Sequence, residues 1–242
     1  MDTAMIVGLS RQMTLRRALD VAANNIANQN TIGFKAENLL FEEYLHKMNG
    51  APAKLRDVAL VLDSGVMRDM RQGALEETGA PLDVAIDGDG FFQIETDDGL
   101  RYTRNGHFTI DDQGRLVTRA GNPVLDEDGR EIQINQEDGT LAIASDGTIS
   151  TEIGEVARLG VYRFESLTSL KKIEGGLFES EDQPEPVETP NVRQGMLEAS
   201  NVKSIVQMTR LIDIMRSYQS ATRLIDSTED LTKRTIRVLG QE

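Results

Sequence analysis

Glycine is distributed unevenly along this 242-residue chain, and its placement constrains the fold more than any other feature of the sequence. Only Gly8 and Gly33 occur in the first 35 residues, and no glycine lies between Gly195 and Gly240. Because a glycine inside a helix costs about 1 kcal/mol relative to alanine, long helices are favoured at the two ends and disfavoured in the glycine-rich centre. The sequence therefore predicts helical ends that flank a different kind of structure.

In the centre, glycines recur every seven to ten residues from Gly90 to Gly154, and most of them follow Asp or Asn. Asp-Gly and Asn-Gly dipeptides supply the positive φ that tight hairpin turns require. Short apolar or alternating segments separate these turns, for example at 91–94 and 141–143. Short strands at this spacing predict a mostly antiparallel all-β domain, which we place at residues 76–183.

The C-terminal end carries a heptad pattern that predicts a long amphipathic helix at 199–242, with Ser200 as a candidate N-cap. Spacings of three and four residues connect Met208, Leu211, Met215, Tyr218, Thr222, Ile225, Glu229, Thr232, Ile236 and Leu239. Three of the six prolines lie at positions 184, 186 and 190. A stretch this rich in proline favours an extended, semi-rigid connector, so we predict a linker at 184–198.

The N-terminal end has a shorter apolar stripe, which predicts a helix within residues 1–35 that Gly33 terminates. The stripe consists of Leu15, Leu19, Ala22 and Ile26. We predict a partly extended connecting segment at 36–75. An amphipathic helix cannot bury its apolar face alone, so the two ends are expected to pack as a coiled-coil-like domain around the inserted β domain. Because the N-terminal helix cannot cover the whole C-terminal pattern, further partners are expected from other copies of the chain.

Three asparagines, Asn24, Asn25 and Asn28, interrupt the otherwise apolar N-terminal segment. Asparagine is a mediocre helix former because its amide competes for backbone hydrogen bonds. One interpretation is that the helix frays here as it approaches Gly33. The other is that buried amides hydrogen-bond across a helix interface and fix its register, as a single buried polar residue does in coiled coils.

Composition excludes several classes of protein. The net charge of −14 and the pI near 4.7 argue against a nucleic-acid binder, with mildly basic ends around an acidic centre. The absence of cysteine excludes disulfides and thiolate metal sites, and two distant histidines, His46 and His107, argue against a histidine metal centre. No apolar run approaches the roughly 20 residues of a membrane-spanning helix. Residues 1–9 lack the pattern of a cleaved secretory signal, and we expect none.

Two motifs resemble ligand-binding loops without matching them. Residues 87–90 read DGDG, but a dinucleotide fingerprint needs a further glycine where Gln93 stands. Residues 126–129 read DEDG and lack most calcium ligands of an EF-hand, which leaves a weak calcium site as the alternative to a simple turn. We interpret both as tight turns. No G-x-S-x-G nucleophile motif occurs, so we predict no enzyme, no cofactor and no metal.

The asparagine-rich segment also carries a family resemblance. Residues 24–35 read NNIANQNTIGFK, which resembles the N-terminal signature of the rod and hook family of bacterial flagellar axial proteins. Further family-like motifs follow in the same order: TGAPLDVAI at 78–86, YTRNG at 102–106 and GMLEASNV at 195–202. The chain departs from the family pattern at 216–219, where RSYQ replaces the usual R-x-Y-E. The match spans nearly the whole chain and identifies it as a member of this family.

The resemblance implies a structural subunit of the periplasmic basal-body rod, exported by the flagellar type III apparatus and in contact with other rod subunits. It implies self-association into a helical tube through the terminal helices, with the β domain outside. Length and motif details favour a proximal rod member. The alternatives are a distal rod member or, outside the family, a β binding module on a coiled-coil stalk.

From the two apolar patterns and the motifs we predict one set of subunit-interface residues. They are Leu15, Leu19, Ala22, Asn24, Asn25, Ile26, Asn28, Gly33, Phe34, Ser200, Asn201, Val202, Met208, Leu211, Met215, Tyr218, Ile225 and Ile236.

Overall fold

The computed structural model describes residues 2–47, 57–135 and 139–239, and the described chain divides into two compact units. The helical unit contains the described parts of residues 1–27, 37–68 and 203–242. The β unit contains residues 28–36 and the described parts of 69–202. The predicted class, α+β with a β domain, is confirmed at this level.

The helical unit consists of two helices and a two-stranded ribbon. Helix α1 spans Asp2–Ala27 and helix α2 spans Ser204–Leu239. Strands β1 (Glu37–Lys47) and β2 (Asp57–Arg68) pair antiparallel, with an irregularity in register between Leu40 and Phe41. This ribbon occupies most of the segment that the sequence predicts to be partly extended. A small cluster of apolar side chains packs α1 and α2 against the ribbon: Ala18, Val21, Leu39, Val66 and Ile214.

Helices α1 and α2 pack against each other in opposite directions. A methyl group at Gly8 would lie 3.0 Å from Cγ1 of Ile225, so the Ile225 side chain packs closely on the α1 backbone at this position. One α1 turn later, the Gln12 amide nitrogen donates to the hydroxyls of Tyr218 and Thr222, at 3.2 Å in each case. The close approach explains why α1 contains a glycine despite its helical cost.

The β unit is built from fifteen short strands within the described residues. They are β3 (Leu75–Glu77), β4 (Val84–Ile86), β5 (Phe91–Thr96), β6 (Gly99–Thr103), β7 (Phe108–Ile110), β8 (Leu116–Thr118), β9 (Ala142–Ile143), β10 (Thr148–Ser150), β11 (Glu155–Arg158), β12 (Val161–Arg163), β13 (Lys171–Lys172), β14 (Leu177–Glu179), β15 (Glu185–Pro186), β16 (Val192–Gln194) and β17 (Met196–Glu198). Two 3-10 helices, Leu167–Ser169 and Glu174–Gly176, complete the unit.

All strand pairs of the β unit are antiparallel, as predicted for the described part of the chain. The largest sheet has the order β13-β14-β6-β5-β12-β15. A three-stranded sheet has the order β11-β10-β9, and three separate pairs join β16 to β4, β17 to β3 and β7 to β8. The main core lies around Phe92 and Phe108, whose rings meet edge to face at 5.2 Å between centroids.

The segment 184–198 differs from the predicted linker, because it contributes three strands to the β unit. Strand β15 pairs with β12, β16 with β4 and β17 with β3. Pro186 is tolerated because β15 lies at the edge of the six-stranded sheet, where a missing N–H breaks no ladder. Of the three prolines, Pro186 therefore lies in an edge strand rather than in a connector.

Both helices are shorter than predicted. Helix α1 ends at Ala27, six residues before Gly33, because a tight turn follows in which the Thr31 N–H donates to the Asn28 carbonyl. Helix α2 begins at Ser204 instead of 199. Ser200 does not cap it, since its hydroxyl accepts a hydrogen bond from the Val202 N–H outside the helix.

We expect Gly106→Ala to destabilise the β unit by roughly 2–4 kcal/mol. A methyl group at this position would lie 1.6 Å from the carbonyl oxygen of Val84, so the two segments must separate. Urea unfolding followed by circular dichroism measures the loss. Gly129→Asn is the control, because Gly129 has a positive φ that asparagine tolerates and open space around it. Equal stability of the two variants would contradict the close approach.

Candidate assembly interface

Helix α2 carries apolar side chains on a face that its own chain leaves exposed. Ile205, Met208, Ile212 and Met215 follow spacings of three, four and three residues, so they lie on one side of the helix. We call these four residues the α2 apolar face. Single exposed apolar residues are ordinary on protein surfaces, whereas a contiguous row marks a contact surface.

An open groove of about 500 Å³ lies within the helical unit and shares one lining residue, Ile205, with this face. The half-buried side chains of Leu15 and Ile214 line it together with the exposed Ile205 and Val206. Arg210 and Asp213 also line the groove, and the Arg210 guanidinium donates to Asn38 Oδ1 at 2.9 Å. The groove therefore combines an apolar lining with a few polar groups, as binding surfaces for helices do.

Helix α1 presents a second exposed apolar surface. Leu9 and Met13 are four residues apart and share one side of the helix, and we call them the α1 pair. Ala18 and Ala22 are buried, and each lies well round the helix from both members of the pair at 100° per residue. The α1 pair therefore points away from the buried face of its own helix.

The predicted C-terminal heptad pattern divides into two faces. Tyr218 and Ile225 are half-buried and approach α1, and Leu211 is half-buried as well. Met208 and Met215 are exposed and belong to the α2 apolar face. The Ile236 side chain lies outside the described part of the chain. One pattern in the sequence thus serves an internal helix pair and an outward surface.

Most of the predicted N-terminal stripe lies at the inner side of α1. Ala22 is buried, and Leu19 and Ile26 are half-buried. Leu15 is half-buried and lines the groove.

The asparagines have separate environments. Asn25 is fully buried, its Nδ2 donates to the Glu37 carbonyl at 2.7 Å, and its Oδ1 accepts from the Glu37 N–H at 2.8 Å. These two hydrogen bonds tie the end of α1 to the first residue of β1. Asn28 accepts from the Thr31 hydroxyl, and Asn24 is exposed. Asn25 therefore fixes a helix to a strand within one chain, a role that helical periodicity alone could not indicate.

The remaining predicted residues join the two terminal motifs inside the β unit. The Gly33 N–H donates to the Glu198 carbonyl at 2.7 Å, and the Asn201 N–H donates to the Phe34 carbonyl at 3.3 Å. Asn201 Oδ1 accepts from the Ala36 N–H, and Phe34 packs with Val202. Ser200 lies half-buried in the same segment.

A buried ionic cluster lies beside this junction, and sequence analysis missed it. Glu198 Oε1 accepts from Lys35 Nζ at 2.6 Å and from the Gly73 N–H at 2.9 Å, while Oε2 accepts from Arg104 Nη1 at 3.2 Å. All three charged side chains are almost completely buried. Burial lowers the pKa of Lys35 and of Arg104, and the Glu198 carboxylate opposes both shifts. The only sequence signal was that all three lie within family-like motifs.

Neither described helix is apolar enough over a sufficient length to cross a membrane. The described residues also contain no group of three or more His, Cys, Asp or Glu side chains placed to hold a metal ion.

We expect Glu198→Gln to destabilise the β unit by about 3–5 kcal/mol, because it leaves two buried cations without a counter-charge. Lys35→Met should cost less, since it leaves Arg104 and Glu198 as a balanced pair. Urea unfolding of both variants checks the order, with Glu165→Gln on the exposed surface as control. A larger loss for Lys35→Met than for Glu198→Gln would contradict the assignment of Glu198 as the central group.

We expect Asn25→Leu to destabilise the helical unit by about 2–3 kcal/mol, since it leaves the N–H and carbonyl of Glu37 without their partner. Thermal unfolding followed by helical circular dichroism measures the change. Asn30→Leu, at an exposed turn position, is the control. A variant as stable as the wild type would show that the Asn25 amide contributes nothing.

Three family models match successive parts of the chain. Residues 5–35 match "Flagella basal body rod protein", residues 85–151 match "Flagellar hook protein FlgE/F/G D1 domain", and residues 193–238 match "Flagellar basal body rod FlgEFG protein C-terminal". The matches cover most of α1, strands β5 to β10 of the β unit and nearly all of α2.

Curated relatives match over almost their entire length. The flagellar basal-body rod protein FlgF of Caulobacter vibrioides is 43% identical over 100% of this chain and 99% of its own. FlgF of Rhizobium meliloti is 37% identical over 99% of both chains. The flagellar basal-body rod protein FlgG of Bacillus subtilis is 31% identical over 96% of this chain and 97% of its own.

Proposed function

Because this chain belongs to the flagellar basal-body rod protein family, we propose that it polymerises helically through its terminal helices as a subunit of the proximal rod. Family membership makes it a FlgF-like structural rod subunit and confirms the prediction that it is not an enzyme. The FlgF relatives of Caulobacter and Rhizobium, at 43% and 37% identity, support the proximal rod.

The observation that carries the proposal is the pair of different apolar surfaces on one helical unit. The α2 apolar face lies on one helix and the α1 pair lies on the other, while residues of both helices line the groove. A contact between two different surfaces of identical chains is heterologous, so each subunit keeps one free surface for the next. When the rotation between neighbours does not close, such contacts build a helical filament.

We assign the α1 pair of one copy to the α2 apolar face of its neighbour and to the adjoining edge of the groove at Ile205. Leu9 and Met13 present two side chains at adjacent turns, which is the spacing of anchors that bind in helix grooves. Burying exposed apolar side chains stabilises the contact by roughly 1.5–3 kcal/mol for each fully buried residue. Helices from several copies would then pack side by side in a coiled-coil-like wall.

The proposed contact contains fewer residues than the interface predicted from the sequence. Met208, Met215 and Leu15 stay in it, because two are exposed and the third lines the groove. Tyr218 and Ile225 pack against α1 of their own chain, so we place them in the internal helix pair. Gly33, Phe34, Asn201 and Val202 are engaged inside the β unit, so we leave them out of the proposed contact.

The proposed partners are further copies of this chain and other rod subunits, in the periplasmic part of the basal body. The proposed route there is export through the flagellar type III apparatus. Family membership supports both the partners and the route.

We expect Ile212→Asp to raise the critical concentration for self-association at least about tenfold, because a charge would enter an apolar contact. Ile212 is exposed, so the monomer should fold as the wild type does. Ile153→Asp is the matched control, since Ile153 is an exposed isoleucine, 77% accessible, in the β unit. Sedimentation velocity and electron microscopy measure assembly, and circular dichroism measures folding. Wild-type assembly by a folded Ile212→Asp variant would rule out the α2 apolar face as the contact.

A further inference from the structure

The methionine side chains within the described part of the chain are unequally exposed, and the exposed ones lie in one unit. The described side chains that are exposed are Met13, Met67, Met208 and Met215, and all four belong to the helical unit. Met70 and Met196, in the β unit, are partly buried. Exposure is 67% for Met13, 48% for Met208 and 45% for Met215. Oxidants in solution therefore reach the helical unit first.

The chain contains no cysteine, so no thiol competes for a peroxide. A methionine thioether attacks one peroxide oxygen, the O–O bond breaks, and the sulfur loses two electrons to become a sulfoxide. The peroxide is reduced to water. Two thiols of a methionine sulfoxide reductase system reverse the change, forming a disulfide and releasing the oxygen as water.

We propose, building on the assembly contact proposed above, that Met13, Met208 and Met215 are oxidation sites whose sulfoxides block polymerisation. Met208 and Met215 lie on either side of Ile212 in the α2 apolar face, and Met13 belongs to the α1 pair. Both halves of the contact therefore carry an oxidisable side chain. A sulfoxide is polar, and placing it in an apolar contact without a hydrogen-bond partner is unfavourable.

If oxidation of these methionines blocks assembly, assembly should in turn protect them from oxidation. In the free subunit these thioethers face solvent, whereas in the assembled contact they are covered. Polymerised subunits should thus resist oxidation, and only subunits still awaiting assembly should be sensitive. Met67 is the internal control, because it is 48% exposed, like Met208, but lies on β2 outside the proposed contact.

The test treats the full-length monomer with hydrogen peroxide and measures self-association by sedimentation, with peptide mass spectrometry to count oxygen added at each methionine. We expect the critical concentration of the wild type to rise about tenfold or more when Met13, Met208 and Met215 are oxidised. A Met13→Leu, Met208→Leu, Met215→Leu variant should assemble equally well before and after peroxide. A Met67→Leu variant should remain as sensitive as the wild type.

A second measurement needs no oxidant. Met208→Gln places a polar side chain of similar length in the α2 apolar face and should reproduce the block, whereas Met67→Gln should assemble normally. Circular dichroism of each variant checks the helices.

Unchanged assembly of a wild-type protein oxidised at all three sites would overturn the inference and leave the proposed function intact. Peroxide sensitivity that persists in the triple leucine variant would overturn it as well. Failure of the untreated wild type to self-associate would instead overturn the proposed function, and the oxidation block with it.

Discussion

The β unit depends on one buried carboxylate. Glu198 accepts hydrogen bonds from Lys35, Gly73 and Arg104, so four segments distant in sequence meet at two oxygen atoms. Two buried cations share this single anion, which makes the carboxylate indispensable to both. Backbone bonds from Gly33 and Asn201 reinforce the same junction. These bonds hold the segment that follows α1 against the segment that precedes α2.

The helical unit, in contrast, leaves several apolar side chains exposed. Within the helical unit, α1 and α2 cover one stripe of each other and leave the α1 pair and the α2 apolar face in solvent. These exposed side chains are the ones that the proposed contact between copies would bury. The β unit differs, because it has a conventional core around Phe92 and Phe108.

Periodicity and turn chemistry predicted the helical ends and the antiparallel centre, because both are local properties of the chain. They failed where tertiary context decides. Two-residue strands such as β15 carry no periodic signal, and prolines at 184–190 favoured a linker although Pro186 sits in an edge strand. The heptad pattern located α2 but could not separate Tyr218, which faces α1, from Met215, which does not. The Glu198 cluster joins residues up to 163 positions apart, which no window along the sequence can detect.

The order in which the chain is synthesised gives the Glu198 junction a further meaning. A chain that emerges N terminus first delivers Lys35 early and Arg104 midway, but their shared anion arrives only near residue 198. Until then a lysine and an arginine would have to be buried without their counter-charge, so the partly delivered chain gains little by folding. Strand β17, which completes the unit, arrives at the same moment. The β unit therefore stays open while most of the chain is being synthesised, and it closes when little more than α2 remains to follow.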